Sequence, residues 1–353
     1  MASKKWHETL KSTILEIGYQ QAPTERCLFF HRCEEGELTL LLTYVDDVLI
    51  ASESEDFMDR TIETLRQNYK IKVMQDPKNF VGLQITRDRD RKETRISQSR
   101  YISRMAEVYG LDGESRFMTP METNLQIDKS HTPNDDTEFR GLIGASLYVA
   151  RHSRPDISFA VNKLSQHQGY VTHEIKTYAR RIIRYLFNTR SLELVYTNSD
   201  ADPLRAFVDA SFAPEADGKS ITGFLTFHFG NLVQWGTRKQ TIVVKSSTSA
   251  EAVAVSDVLD DLLALRELNI EVLALYAPVY IHEDNTSAIS LLEDCKNKRQ
   301  RHLRIRILTV IEAADRHEVE LVDTPGTLQL ADGLTKSLDR ATFEEHRFYM
   351  VRA

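Results

Sequence analysis

Four acidic residues stand out because each lies where a predicted strand or helix begins or ends. They are Asp209, Glu251, Asp284 and Asp332. Asp209 and Asp284 each end a short apolar strand, and Glu251 falls in the first turns of a long helix that follows a Ser/Thr-rich start. Asp332 opens a new segment after the predicted strand 319–322. Neighbouring strands and helices in this order can bring the four carboxylates together.

Carboxylates that converge in this way repel one another, so protons or cations must balance their negative charge. Two unit charges about 4 Å apart repel by about 4 kcal/mol at an effective dielectric constant of about 20. Two divalent ions would balance four carboxylates, and hard oxygen ligands suit Mg²⁺ or Mn²⁺. Two such ions about 3.5–4 Å apart are the arrangement used for in-line phosphodiester cleavage. For any one acid taken alone, a solvated strand end or helix cap is the better interpretation.

The sequence motifs around these acids resemble the ribonuclease H domain of copia-type LTR retrotransposon polyproteins. Six of them follow in the family's order over about residues 205–338: Val208-Asp209-Ala210-Ser211, Lys219-Ser220-Ile221-Thr222-Gly223-Phe224, Trp235-Gly236-Thr237-Arg238-Lys239-Gln240, Ser246-Ser247-Thr248-Ser249-Ala250-Glu251-Ala252, Glu283-Asp284-Asn285-Thr286-Ser287-Ala288-Ile289 and Ala331-Asp332-Gly333-Leu334-Thr335-Lys336. The family carries its metal-binding acids where the four acids stand here. The resemblance implies endonucleolytic cleavage of the RNA strand of an RNA–DNA hybrid with two Mg²⁺ (or Mn²⁺) ions.

A second pair of acids, Asp46 and Asp47, lies between two apolar strands predicted over 38–42 and 48–52. A polar β-turn explains such a pair by itself. Tyr44-Val45-Asp46-Asp47 also resembles the palm-domain metal motif of reverse transcriptases. That family needs a third Asp from an earlier strand, and residues 1–45 contain no Asp. The polymerase metal site is therefore expected to be vestigial, and the chain to be an N-terminally truncated reverse transcriptase that is inactive as a polymerase by itself.

The predicted fold class is α/β, in an α+β multidomain arrangement of three parts. By resemblance to copia-type enzymes, residues 1–115 are expected to form a partial palm with the Asp-Asp hairpin and a primer-grip-like hairpin at Gly82, and residues 116–200 a helical thumb and connection. Residues 201–353 form a ribonuclease H-like domain, with three antiparallel strands followed by alternating helices and strands. That order gives a mixed five-stranded sheet with helices on its faces.

Basic residues are segregated although the net charge is −7. The segments 176–190 and 296–306 hold five and six Lys/Arg residues and no acid. In the predicted helix 172–188, three bases recur every fourth residue, and its one acid, Glu174, has the wrong spacing to pair with them. A solvated face is the alternative to nucleic-acid contact. The candidate nucleic-acid-binding residues are Lys176, Arg180, Arg184, Arg299, Arg301, His302 and Arg304.

Three cysteines, Cys27, Cys33 and Cys295, lack a zinc-binding spacing and indicate reduced thiols. Neither a signal sequence nor a run of membrane length is present, so a cytoplasmic or nuclear protein is expected, or one in a virus-like particle if the parent element is active. The expected partners are an RNA–DNA hybrid and either the upstream reverse transcriptase portion or a second copy, but no membrane.

The sequence also departs from the copia-type pattern. The family often has Cys where Glu283 stands, Asp-Trp where Ser211-Phe212 stands, and Asp where Arg304 stands. None of these changes removes a predicted metal ligand, but they suggest divergence. The alternative function is therefore a non-catalytic nucleic-acid-binding remnant, or a domesticated fragment of a retroelement.

Overall fold

A computed structural model describes residues 2–113, 115–123, 125, 127, 136–215, 217–293 and 303–353. Within those residues the chain is a mixed α/β protein, as predicted. The helices are α1 (Ala2–Ile17), α2 (Glu55–Asn68), α3 (Ser99–Val108), α4 (Thr137–His152), α5 (Ser158–Ser165), α6 (His173–Asn188), α7 (Ser247–Leu273), α8 (Thr286–Glu293), α9 (Arg304–Asp315) and α10 (Arg340–Met350). The strands are β1 (Gln20–Gln21), β2 (Leu28–Arg32), β3 (Leu38–Tyr44), β4 (Asp47–Ser52), β5 (Asn79–Phe80), β6 (Leu83–Asp88), β7 (Glu93–Ser97), β8 (Leu194–Thr197), β9 (Leu204–Ser211), β10 (Lys219–His228), β11 (Asn231–Val243), β12 (Val279–Glu283) and β13 (Val319–Asp323).

The chain divides into two compact units. One comprises the residues up to Val81 together with Ala264–Tyr276, and the other comprises Gly82–Leu263 and Ala277–Ala353. Helix α7 contributes its residues up to Leu263 to the second unit and the remainder to the first. The three-part division at residues 115 and 200 stays a prediction. No described helix combines the length and the apolar character that crossing a bilayer requires.

In the first unit, strands β1 to β4 form an antiparallel sheet in chain order. Its core is made by side chains from α1, α2 and the sheet: Leu10, Ile14, Tyr19, Phe29, Leu41, Phe57 and Leu65. Strand β2 pairs with β3 from Leu28↔Leu42 to Arg32↔Leu38. Leu15 of α1 points away from this core and is exposed.

The helices α3 to α6 share one apolar core in the second unit. That core also includes Ile221 of β10 and Phe343 of α10, so the helical segment and the predicted ribonuclease H-like segment are packed together. At its edge lies a buried ion pair in which Arg154 binds Asp156 through two hydrogen bonds, of 2.9 and 2.7 Å. Burial alone would raise the pKa of Asp156, but the guanidinium of Arg154 holds it below its usual range.

The five-stranded sheet of the second unit has the order β11-β10-β9-β12-β13. Strands β9, β10 and β11 are antiparallel neighbours, whereas β12 runs parallel to both β9 and β13. This is the mixed sheet that the sequence predicted. Because β9 and β12 are parallel neighbours, their carboxyl ends open at the same edge of the sheet, and that edge carries Asp209 and Asp284.

Candidate metal centre

Asp209 lies near the end of the central strand β9, in register with Gly223 of β10. Its side chain is buried, and its Oδ2 accepts a hydrogen bond from the hydroxyl of Thr335. Thr335 is itself fully buried, and the backbone carbonyl of its neighbour Leu334 accepts a hydrogen bond of 2.7 Å from Thr237 on β11. The segment after Asp332 is therefore fixed to two strands of the sheet and holds one carboxylate oxygen of Asp209.

Gly223 makes this contact possible. A Cβ atom at residue 223 would lie 2.7 Å from Cγ2 of Thr335 and 2.8 Å from Cβ of Leu334. Such distances are far below van der Waals contact, and neither neighbouring atom is the free end of a flexible side chain. A glycine at this position therefore allows Leu334 and Thr335 to lie directly against the strand beside Asp209.

Glu251 is the fifth residue of α7 and is also buried. The start of the helix is held by Ser246, whose hydroxyl accepts a hydrogen bond of 3.2 Å from the backbone N–H of Ser249. The buried side chain of Gln240 on β11 donates to the carbonyl of Ala250 at 2.9 Å. Helix and sheet are thus joined one residue before Glu251, whose Oε2 is buried without a hydrogen-bond partner in the described structure.

Asp284 directly follows β12 and is half-buried, and Asp332 lies in a 3-10 turn over Leu330–Leu334. Oxygen atoms of Asp209, Glu251 and Asp284 all lie within 4.8 Å of one another. Asp332 is near enough for its charge to act on Asp209 and Asp284, and it forms an ion pair of 2.7 Å with Lys336. The structure therefore brings the four predicted acids to one edge of the sheet, three of them within the reach of one ion.

Burial and mutual repulsion disfavour the charged forms of Asp209, Glu251 and Asp284. Burial, with the nearby charge of Asp332, raises the pKa of Asp209 to about 7. Burial, with the charge of Asp209, raises the pKa of Glu251 to about 11, and burial with the charge of Asp332 raises that of Asp284. Without cations the cluster must therefore hold protons, which is the behaviour expected of carboxylates arranged for divalent ions.

A fifth carboxyl group, Glu283, is part of this cluster and was not predicted. It is fully buried, its Oε1 accepts a hydrogen bond of 3.1 Å from the backbone N–H of Asn285, and its Oε2 has no described partner. Burial raises the pKa of Glu283 to about 8, and its charge acts on Glu251. The alternation of residues along β12 indicates that Glu283 is buried, because Val279, Ile281 and Glu283 all lie on its buried face.

The donor set suits Mg²⁺ or Mn²⁺. Every candidate ligand is a carboxylate oxygen, which these hard ions prefer, and the unpartnered Oε2 of Glu251 is available for coordination. The ammonium group of Lys336 offsets part of the negative charge. Although burial alone would lower the pKa of Lys336, its bond with Asp332 and the charge of Asp209 raise it.

Asp46 and Asp47 are exposed at the tip of the β3–β4 hairpin, where Tyr44 pairs with Asp47. Val45 adopts a φ of 55°, and its carbonyl accepts a hydrogen bond of 2.8 Å from the indole of Trp6. Among the described residues, the only group of three or more candidate ligands within metal-binding distance is that of Asp209, Glu251 and Asp284. The hairpin forms as predicted, but its two acids have no third acid beside them within the described part of the chain.

Two of the predicted nucleic-acid-binding residues have partners within the protein. Lys176 contacts Asp136 at 2.8 Å and Glu138 at 3.0 Å, and Arg180 contacts Glu138 at 2.5 Å. These acids lie at the start of α4, so the spacing of charges along α6 itself does not reveal them. Arg184 is half-buried and has no acidic partner among the described residues, and Arg304 is exposed. Arg299, Arg301 and His302 lie outside the described residues.

The chain is similar in sequence to a reverse transcriptase family and to transposon polyproteins. Residues 1–123 match the family described as reverse transcriptase (RNA-dependent DNA polymerase). Over 97% of its length, the chain is 29% identical to the Retrovirus-related Pol polyprotein from transposon RE1 of Arabidopsis thaliana and 26% identical to that from transposon TNT 1-94 of Nicotiana tabacum. It spans only 24% and 26% of those two relatives.

Among solved structures, LC11-RNase H1, isolated from compost by a metagenomic approach, is 14% identical with a TM-score of 0.31. That similarity covers 41% of this chain and 98% of the other. Nearly the whole chain is similar in sequence to the Pol polyproteins of copia-type transposons, and its residues 1–123 carry the reverse transcriptase match.

Proposed function

We propose that the chain is a metal-dependent endonuclease that cleaves the RNA strand of RNA–DNA hybrids. One observation carries the proposal: carboxylate oxygens of Asp209, Glu251 and Asp284, from three separate elements, lie within 4.8 Å of one another, with Asp332 beside them. The six sequence motifs around these acids resemble those of ribonuclease H domains, and this resemblance supports an RNA–DNA hybrid as the substrate. The sequence similarity to transposon Pol polyproteins supports a role in the processing of nucleic acid.

Asp209, Glu251, Asp284 and Asp332 would hold two Mg²⁺ or Mn²⁺ ions. When bound, such ions lower the pKa of an attacking water and neutralise the charge that develops on the leaving 3′ oxygen. The chain's own residues fix the geometry: Thr335 holds one oxygen of Asp209, and Gln240 holds the helix start that carries Glu251.

The substrate would be held through its backbone and its A-form shape rather than through its base sequence. Arg184 and Arg304 are the described candidate residues that have no acidic partner among the described side chains, so they are available for phosphates. Lys176 and Arg180 are already neutralised by Asp136 and Glu138 and have a structural role.

A gel assay with a labelled RNA–DNA hybrid and Mg²⁺ or Mn²⁺ tests the proposal. The wild-type chain should cut the RNA strand of the hybrid but neither double-stranded RNA nor double-stranded DNA. Glu251→Gln keeps the shape of the side chain and removes its charge, so it should abolish cleavage. Glu320→Gln, at an exposed position of β13, is the matched control and should cleave normally. Equal cleavage by the Glu251→Gln variant would show that the site is assigned wrongly, and binding without cleavage by the wild type would favour a non-catalytic remnant.

A further inference from the structure

Strands β9 and β12 separate just before the carboxylate cluster. Their parallel register runs from Arg205↔Tyr280 to Phe207↔His282 and stops there. Beyond that pair the backbone carbonyl of Val208 has no partner in β12, so it needs a hydrogen-bond donor from outside the two strands. This gap lies immediately before Asp209 and two residues before Asp284.

The side chain of Gln329 fills this gap. Gln329 is fully buried, and its Nε2 donates to the carbonyl of Val208 at 2.9 Å and to that of His282 at 3.3 Å. Its Oε1 accepts a hydrogen bond of 3.2 Å from the backbone N–H of Ala331. One carboxamide therefore uses both of its N–H groups and its oxygen on three different segments.

Each of those segments carries a carboxylate of the cluster. Val208 precedes Asp209, His282 lies two residues before Asp284, and Ala331 precedes Asp332. Since the paired register does not extend to Asp209 and Asp284, the spacing between these two residues depends on the group that bridges the strands there. The same group caps the 3-10 turn that presents Asp332.

We propose that Gln329 is a positioning residue that sets the relative positions of Asp209, Asp284 and Asp332 and so determines the affinity of the cluster for divalent cations. The inference rests on the metal site of the proposed function. No other side chain type of this size supplies two donors and one acceptor in one plane, so neither Glu nor Met can replace its three bonds. Because Gln329 is fully buried, it acts through the carboxylates and not by touching the substrate.

The test compares Gln329→Met with Gln98→Met in the full chain. Gln98 is also buried, accepts a hydrogen bond from Ser153, and belongs to the same unit, but it lies outside the cluster. Circular dichroism establishes that each variant is folded, and a calorimetric titration with Mn²⁺ alone measures metal affinity. Gln329→Met should bind Mn²⁺ about 10- to 100-fold more weakly than the wild type, as is usual for the loss of groups that orient metal ligands. Gln98→Met should bind Mn²⁺ as the wild type does.

A second readout separates positioning from general destabilisation. In hybrid cleavage at saturating Mn²⁺, Gln329→Met should lower kcat and leave the KM for the hybrid unchanged. If Gln329→Met does not fold, Gln329→Asn takes its place, because the shorter amide cannot reach both carbonyls and should give an intermediate loss of affinity. Wild-type affinity in a folded Gln329 variant overturns this inference alone. Failure of the wild-type chain to bind Mn²⁺ overturns both the metal site and the inference.

Discussion

The hydroxyl of Thr335 donates a hydrogen bond to Oδ2 of Asp209, across 126 residues of sequence. This bond ties the segment that carries Asp332 to the strand that carries Asp209. The carboxylate cluster is thus held together by residues that are not themselves candidate ligands.

Thr335→Val removes the hydroxyl and keeps the side-chain volume. Hydrogen bonds to charged groups contribute about 1.5–3 kcal/mol, so the variant should be less stable by roughly that amount and should bind Mn²⁺ more weakly. Thr226→Val on β10 is the matched control, because the hydroxyl of Thr226 is buried without a partner in the described structure. That control should be neutral or stabilising by thermal unfolding. Equal melting temperatures for the two valine variants would contradict the role assigned to Thr335.

Gly223→Ala should displace Thr335 and Leu334 from the strand. Overpacking of this kind costs about 1–3 kcal/mol, and here the displaced atoms support Asp209, so hybrid cleavage should fall as well. The control is Gly144→Ala in α4, where a Cβ meets no atom within 4 Å and alanine favours the helix. Thermal unfolding should show a lower midpoint for the first variant and an unchanged or higher one for the second. A fully active, fully stable Gly223→Ala variant would refute the contact.

Stability without divalent ions should decrease as the pH rises from about 4 to above 7. Asp209 has an unperturbed pKa of 3.8 and a pKa of about 7 in the folded chain, so in this range the folded state binds more protons than the unfolded state. The free energy of unfolding then falls with increasing pH, and the loss is complete once the pH exceeds the folded pKa. Asp209→Asn should flatten this dependence in melting curves recorded with a chelator.

Millimolar Mn²⁺ or Mg²⁺ should raise the melting temperature at pH 7, because a ligand that binds only the folded state stabilises it by mass action. The effect should be larger at pH 7 than at pH 5, where protons compete for the carboxylates. Asp284→Asn should reduce it. A melting curve of the wild type that is insensitive to both ions would count against the metal site.

Arg184 and Arg180 should respond differently to replacement by Ala. Arg184 has no acidic partner among the described residues, so Arg184→Ala should weaken hybrid binding and reduce the slope of log K against log salt by roughly 0.7–0.9. Arg180 is paired with Glu138, so Arg180→Ala should leave the slope unchanged and affect stability only slightly. Binding isotherms at several salt concentrations measure both. Identical slopes for the wild type and Arg184→Ala would show that Arg184 contacts no phosphate and is only part of a solvated face.

The chain by itself should not extend a primer on an RNA template. Asp46 and Asp47 are exposed on a well-formed hairpin, but Mg²⁺ requires near-octahedral coordination and binds poorly to a lone exposed pair. Primer extension with four nucleotides and Mg²⁺ or Mn²⁺ checks this. Extension that is lost in Asp46→Asn would mean that another acid, or a partner chain, completes the site.

Local patterns in the sequence determined the long elements and the ligand positions. Three features predicted the sheet and the four acids that meet at its edge. They are the apolar spacing of α7, the short apolar runs of β9 and β12, and the sequence motifs around Asp209, Glu251, Asp284 and Asp332. These features depend on residues close together in the chain, where helical and strand periodicity are expressed directly.

Only the tertiary structure decided the contacts between distant segments. Strand β8 is four residues long and pairs with β7 about a hundred residues earlier, and the acids that neutralise Lys176 and Arg180 come from another helix. Separate elements are likewise joined by the bridge made by Gln329 and by the close packing of Thr335 on Gly223, and the charge of Glu283 acts on Glu251 from another element. Such contacts depend on register and on the direction of approach, and neither leaves a periodic signal in a single sequence.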